Sequence, residues 1–355
     1  MLETRAFDGT PEELSDFVVS TWKSSYDGTM AVPNWSADYF RWQLRLDEPD
    51  SARRVTAVYS DGSLAGTLIF CPFDFELRGV QRRGAHSSWL SVSPNFRRLG
   101  VGKALQAGAI KACQEDGVDF RVGYVYQGAR KSQGPMFWLK KGKPVQQGMV
   151  LGQPVGFWAR VIDADGAIAW NVSKLDRVLT RLAKPFIPTP KPRSRDGVEF
   201  RRFEPSDAEQ CVTLANESSA GLELRIIWTK ETLGVLMQGF GEGIVATKHG
   251  EIQGFIAFHN IVISGLCDAP IGVIDVISVD RLSSANRAGL LDSVVLAMKE
   301  SGAVVALKQR TGDYPSRFFA RLGWAPRICD SQMVFTWCGE PRDAAGIRRC
   351  HVLWR

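Results

Sequence analysis

Apolar positions along this chain follow two rhythms, and each rhythm occurs in both halves. Val101, Ala104, Leu105, Gly108, Ala109, Ala112 and Cys113 fall at i, i+3, i+4, i+7, i+8, i+11 and i+12. That spacing predicts a helix with one buried stripe, made of small residues suited to close packing on a sheet. Leu291, Val294, Val295 and Met298 repeat the pattern later in the chain. Short apolar runs predict strands at Ser88–Val92, Phe120–Tyr126, Ile274–Val279 and Ala303–Lys308. Hairpins are predicted where Arg54–Tyr59 meets Leu64–Phe70 and where Gly243–Lys248 meets Ile252–Ile263. Asp61-Gly62 and His249-Gly250 supply the left-handed backbone of the two turns.

These elements come in the same order twice. Leu2–Asp8 is echoed by Val198–Glu204, and each runs into an acidic helix start, Thr10-Pro11-Glu12-Glu13 and Pro205-Ser206-Asp207-Ala208-Glu209. Proline in the first helical turn costs no hydrogen bond. Phe137–Gly142 is echoed by Phe318–Gly323. Between the halves, Pro185–Arg195 alternates proline with other residues, which favours extended backbone and predicts a linker. The expected organisation is a first domain over 1–165, a helix with a basic Pro-rich linker over 166–197, a second domain over 198–340 and a basic tail over 341–355.

Composition narrows the picture. The chain has 355 residues, 45% hydrophobic and 23% charged, ordinary for a globular protein of two domains. No run approaches the roughly 18 apolar residues of a membrane span, and the first residues lack a signal-peptide core, so a cytoplasmic protein is expected. Seven scattered cysteines without a C-x-x-C pair predict reduced thiols, and the four dispersed histidines predict no metal site. The net charge of +6 suits a polyanionic cofactor, an anionic lipid surface or nucleic acid. No nucleic-acid motif is present, so the cofactor is favoured.

The candidate chemistry lies after Val92. Arg97-x-x-Gly100-x-Gly102 stands between a predicted strand and a predicted helix. At such a junction free backbone N–H groups and the helix dipole attract an anion, and glycine lets a phosphate approach the backbone. This loop resembles the R/Q-x-x-G-x-G/A acyl-CoA pyrophosphate loop of the GNAT acyltransferases. With the duplicated element order, the whole chain resembles a tandem GNAT protein. The resemblance implies an α/β fold of two mixed sheets and acetyl-CoA or another acyl-CoA as co-substrate.

It further implies a cofactor-binding set of Leu90, Ser91 and Val92 for pantetheine, with Arg97, Arg98, Leu99, Gly100, Val101, Gly102 and Lys103 for the pyrophosphate. Many members place a basic glutamate where this chain has His86, which is mostly neutral at pH 7 and so a candidate base. The family's acidic tyrosine is replaced by Trp138 and, in the second half, Phe319. Tyr126, ahead of Tyr124, is the candidate substitute acid; the alternative is a thiolate that leaves assisted only by water or a backbone N–H. Trp22, Trp35, Trp42, Trp89 and Trp138 suit either an apolar groove or the core, and Trp22–Leu46 lies where the family sets acceptor specificity.

The halves differ. Aligned through Val279, Ser284–Gly289 replaces the loop, with Arg287 in place of the first glycine. The second domain is therefore expected to be degenerate and to wall off the acceptor cleft of the first, the alternative being a site that recognises a different ligand. The expected function is transfer of an acetyl or other acyl group to a primary amine of a small molecule or peptide, by a monomer or homodimer without metal. Two alternatives stand beside it: a non-catalytic acyl-CoA-binding regulator, and an acyltransferase using a long chain or a carrier protein.

Overall fold

The computed structural model describes all residues except 27, 47, 49–50, 128–138, 141–142, 145–147, 343, 345 and 355, with backbone alone for 139–140 and 143–144. The chain divides into two units: Met1–Val155 with Cys329–Arg348, and Gly156–Ile328 with Arg349–Trp354.

Unit 1 opens with β1 (Leu2–Ala6), α1 (Pro11–Tyr26) and α2 (Ala37–Leu44). The hairpin β2 (Val55–Ser60) and β3 (Ser63–Leu77) follows, then the long β4 (Val80–Val92). Helix α3 (Val101–Glu115), β5 (Phe120–Tyr126) and β6 (Met149–Val155) complete its continuous part. Unit 2 begins with β7 (Phe157–Val161), α4 (Ala164–Trp170) and α5 (Lys174–Ala183). It continues with β8 (Glu199–Arg202), α6 (Ala208–Ser219), α7 (Lys230–Leu236), β9 (Gly241–Lys248) and β10 (Glu251–Ser264). Next are β11 (Asp268–Ser278), α8 (Ser284–Glu300), β12 (Val305–Gln309) and α9 (Ser316–Arg321). The last long strand, β13 (Ser331–Trp337), belongs to unit 1.

Local chemistry explains the element ends. Thr10 and Glu13 form a reciprocal capping box at α1, Thr10 N–H to Glu13 Oε2 at 2.8 Å and Glu13 N–H to Thr10 Oγ1 at 3.2 Å. Both hairpins turn through paired left-handed residues, Asp61-Gly62 at φ 49° and 79° and His249-Gly250 at φ 52° and 82°. The small-residue stripe of α3 buries Val101, Leu105, Ala109 and Cys113, with Val101, Leu105 and Ala109 packed against Val58, Ala65 and Leu68 of the sheet.

The sheet of unit 1 runs β1-β2-β3-β4-β5-β13-β6, and that of unit 2 runs β8-β9-β10-β11-β12-β7. Along each of these runs the neighbours are antiparallel but for one parallel pair, β4–β5 and β11–β12. The sixth position of each sheet holds an exchanged strand. β7, which directly follows unit 1 in sequence, pairs with β12, while β13 inserts between β5 and β6.

This exchange departs from the expected boundary. The simple division at 165 and 198 puts each half's last strand in its own domain, whereas residues 329–348 group with unit 1 and 156–165 with unit 2. The physical reason is that strand patterning specifies a face and a period, but not which sheet edge receives the strand. β4 also begins at Val80, eight residues ahead of the apolar run, because an edge that finds partners extends through Arg82 and Arg83. Of the segment Phe137–Gly142 only Leu139–Lys140 is described, and it is a short strand paired with Lys143–Pro144.

Phe335 of β13 is fully buried, its ring 6.0 Å from Phe120. Phe335→Ala is therefore expected to destabilise unit 1 by roughly 3–5 kcal/mol, as for other large aromatic deletions. Hydrogen exchange checks this: faster exchange at Phe120–Tyr126 is expected, though the substitution lies some two hundred residues away in sequence.

Candidate functional site

The site begins where two neighbouring strands part. β4 and β5 pair at Gly84↔Phe120, Ala85↔Arg121 and His86↔Val122. Beyond that point β4 stays on β3 as far as Val92↔Gly66, and β5 stays on β13 as far as Tyr126↔Ser331. Facing edges Ser87–Val92 and Gly123–Tyr126 are left without strand partners on the side of the opening. An edge where strand pairing stops in this way is a surface on which an extended ligand can bond to the backbone.

Three features hold the closed end. A Cβ on Gly123 would stand 2.3 Å from Ser87 O, so only glycine allows the strands to approach there before diverging. Buried Arg121 donates to Gln106 Oε1 of α3 at 2.6 Å and to Ser87 Oγ at 3.4 Å. A bulge then sets Trp89 and Leu90 together opposite Leu68, with Trp89 left-handed at φ 56°. That conformation costs about 1–2 kcal/mol. Rings of Trp35, Tyr39 and Phe40, centred 5.5 to 6.4 Å from Trp89, clamp it in place.

The open end leads to the loop 93–100. Arg98 and Gly100 both take left-handed backbone, at φ 65° and 88°, and Gly100 caps α3 with no side-chain cap bond. Lys103 N–H and Ala104 N–H return to Gly100 O at 3.0 Å. The N–H groups of Arg98, Leu99, Gly100, Val101 and Gly102 donate to no protein group among the described residues. Five outward donors at the positive end of a helix make an anion cradle.

The sequence-derived residues separate into those at this surface and those behind it. Leu90 and Val92 turn their side chains onto the Leu105 and Ala109 side of α3, leaving backbone for a ligand. The Ser91 hydroxyl is already used, accepting from Trp22 Nε1 at 3.0 Å and donating to Trp89 O at 3.1 Å. Arg97 points away from the cradle: Nε donates to Val92 O at 3.3 Å and the guanidinium also bonds Ser25 Oγ of α1. Arg98, Leu99 and Lys103 are exposed, while Val101 is buried.

His86 lies at the closed end, 2% exposed, its ring 5.4 Å from Phe73 and 5.7 Å from Phe75. Tyr126 lies at the open end of β5, four residues beyond His86's partner Val122, or about 13 Å along the strand. The structure does not bring these two together around one reacting atom. Burial, then the charges of Asp330 and Tyr26, push the Tyr126 phenol up to about 12. Trp35, Trp42 and Trp89 are core residues, and Trp22 is half-buried beside them. Trp138 lies outside the described residues.

The equivalent loop of unit 2 is closed by a different device from the one expected. Only five residues, 279–283, join β11 to α8, against eight, 93–100, in unit 1. Ser283 replaces Gly100 as the cap and accepts from Asn286 N–H. Arg287 therefore falls in the first turn of α8, at the helical position of Ala104, and folds back onto Leu282 O at 2.8 Å and Asp280 O at 2.7 Å. What covers the helix start is the linker. Arg195 N–H donates to Asn286 Oδ1 at 2.8 Å and Asn286 Nδ2 donates to Arg195 O at 3.2 Å. Lys191 N–H donates to Asp292 Oδ2 at 2.8 Å, and a Cβ on Gly289 would meet Arg193 O at 2.2 Å.

Sequence reasoning also missed a buried polar cluster in unit 2. Lys308 Nζ lies 2.7 Å from Asp313 Oδ2, and His351 Nδ1 is 3.6 Å from the same oxygen. Trp228 Nε1 donates to His351 Nε2 at 3.2 Å. Burial alone would raise the Asp313 carboxyl, but the Lys308 charge and the bonds from His351 and Lys308 hold it well below the usual range. A second pair, His259 Nδ1 and Asp275 Oδ2 at 2.7 Å, bridges β10 and β11. The available signal was a charged residue inside an apolar strand run, as in Ile274-Asp275-Val276.

Residues 9–130 match the acetyltransferase (GNAT) domain family. The chain has a tandem GNAT fold. Saccharomyces cerevisiae N-myristoyltransferase with bound myristoyl-CoA superposes at a TM-score of 0.72 and 14% identity, covering 96% of this chain and 84% of that one. A GCN5-related N-acetyltransferase from Kribbella flavida gives 0.52 at 15% identity over 94% of this chain and 70% of the other. A probable N-acyltransferase from Enterococcus faecalis gives 0.54 at 10% identity over 94% and 72%. No curated protein sequence matches significantly.

The raised Tyr126 value sets a pH test. The folded pKa lies above the unfolded one, so this group's stabilising contribution is present below about pH 10 and is lost as pH rises towards 12. Comparing ultraviolet titrations of wild type and Tyr126→Phe is expected to show that the missing phenolate absorbance belongs above pH 11.

Proposed function

We propose that this chain is an N-acyltransferase that moves an acyl group from acyl-CoA to a primary amine, with its one donor site in unit 1. The carrying observation is the continuous path from the β4–β5 opening to the unclaimed N–H groups of Arg98–Gly102. A pyrophosphate fits the cradle, because its oxygens need donors at about 2.7–3.0 Å and no side chain stands between. The pantetheine amides would bond the edge of β4 that faces the opening, with the thioester inside it. Acetyl-CoA is the simplest donor, and the N-myristoyltransferase likeness makes myristoyl-CoA the comparison.

In the reaction the neutral amine nitrogen attacks the thioester carbonyl and forms the C–N bond, the C–S bond breaks, and the proton that the nitrogen sheds ends on the departing CoA thiolate. Tyr126 is the proposed donor towards that sulfur. A phenol raised to about 12 stays protonated at neutral pH and stabilises the thiolate as a hydrogen-bond donor. His86 is proposed to secure the closed end under Phe73 and Phe75 in place of acting as the base. The acceptor in this reading is a primary amine of a small molecule or peptide.

Calorimetry with acetyl-CoA and myristoyl-CoA tests the site. One equivalent per chain is expected, since the linker occupies the helix start of unit 2. Gly100→Glu is expected to lower affinity by at least ~100-fold, because it strains a φ of 88° and sets a carboxylate in the cradle. Unchanged binding by the folded variant removes the assignment.

Turnover separates the roles of the two side chains. Tyr126→Phe is expected to lower kcat by about 10²-fold with little change in donor affinity. His86→Asn is expected to lower thermal stability while leaving the pH profile of kcat/KM unaltered. A His86 variant of normal stability that loses an acidic limb would restore it as the base.

A further inference from the structure

Helix α5 carries an apolar face that the fold does not use. Leu175, Val178, Leu179 and Leu182 recur at i, i+3, i+4 and i+7, and Phe186 follows one turn on. These side chains are 64%, 48%, 52%, 68% and 83% exposed. No residue of α5 is buried. The helix is nevertheless well formed, capped by Ser173, whose hydroxyl accepts from Asp176 N–H at 3.2 Å. Ten residues give it about 15 Å of length. A continuous exposed stripe of five large apolar side chains is the kind of patch that marks an interaction surface.

Charge identifies what covers it. From Lys174 to Arg195 the sequence has seven basic residues, at 174, 177, 181, 184, 191, 193 and 195, and one acidic residue, Asp176. That local balance equals the +6 of the entire chain, so the rest of the protein is neutral as a whole. At 100° per residue Lys174 and Arg181 border the apolar face on one side. Asp176, on the other, is held by Arg327 at 2.5 Å, and Lys184 is paired with Asp165 at 2.7 Å. The helix therefore presents leucines flanked by cations, with its one carboxylate neutralised. A protein groove would match the apolar stripe alone. The concentration of all the excess charge beside it matches a surface that is both apolar and polyanionic.

We propose that α5 and the basic linker after it form an interfacial anchor, docking this protein onto an anionic lipid surface. The leucines and Phe186 enter the acyl boundary while Lys174, Arg181 and the linker cations lie among the headgroups. This is attachment in the plane of the surface and needs no spanning segment; among the described residues no helix is long and apolar enough to cross a membrane.

Co-sedimentation of the full chain with phosphatidylglycerol–phosphatidylcholine vesicles, against pure phosphatidylcholine vesicles, tests it. Binding to the anionic vesicles is expected to be at least ~10-fold tighter and to weaken with salt as screening shortens. Leu179→Ser/Leu182→Ser is expected to lose ~10-fold or more in partitioning, and Phe186→Ser, outside the helix, several-fold. Lys174→Glu/Arg181→Glu is expected to remove the preference for anionic lipid. Circular dichroism of each variant should match wild type, because these side chains are exposed. Equal binding by the leucine variant, or equal binding to both vesicle types, overturns the proposal. So does a concentration-dependent dimer that the leucine substitutions abolish, which would make a second copy the partner of this face.

Discussion

Two parallel neighbours can part within a sheet only if each keeps hydrogen-bond partners on its other edge, and the candidate site of this protein depends on that condition. β4 meets it through β3, its neighbour in sequence. β5 meets it through β13, a strand from the far end of the chain. Without β13, Gly123–Tyr126 would have no strand partner on either edge and the opening would collapse or fray. The exchange of the last strand is thus what turns an interruption of pairing into a stable crevice. Gly123 and Arg121 fix where the interruption starts, and the Trp89 bulge re-aims the strand that leads from it to the loop.

The same architecture is present in unit 2, yet its counterpart of the anion cradle is filled from within. A loop three residues shorter brings Ser283 to the helix start, where its hydroxyl accepts from Asn286 N–H, a side-chain cap that Gly100 cannot supply in unit 1. The linker then bonds both faces of the Asn286 side-chain amide and packs on Gly289. A segment that would otherwise serve only as a tether so becomes an internal occupant. The bonds it makes there are ones that an external phosphate would have to displace. In unit 2 polar chemistry is instead drawn inward: Lys308, Asp313 and His351 satisfy one another in the interior, where a charge without a partner would be far more costly.

Aromatic residues divide between support and use. Trp35, Tyr39, Phe40 and Trp89 form a ring-to-ring cluster whose first effect is to hold a left-handed tryptophan in a strand. Trp22 extends that cluster to Ser91, tying α1 to the strand that borders the opening. Helices α1 and α2 are therefore mechanically joined to the strand that borders the opening through aromatic packing.

How much of this was legible in the sequence follows from the range of each interaction. Helical stripes, Asp-Gly and His-Gly turns, the acidic start of α1 and the glycine loop after Val92 are set by neighbours within a few residues, so spacing and residue type were enough to find them. The duplication was legible for the same reason, as a repeated order of local signals. What only the tertiary structure decided was long-range. The sheet edge that receives β13, the strand pairing that stops at His86↔Val122, and the docking of residues 191–195 on α8 all join segments that carry no local mark of their partners. His86 shows the limit most plainly: its place in the strand was readable, but the phenylalanines that cover it come from a register that only pairing defines.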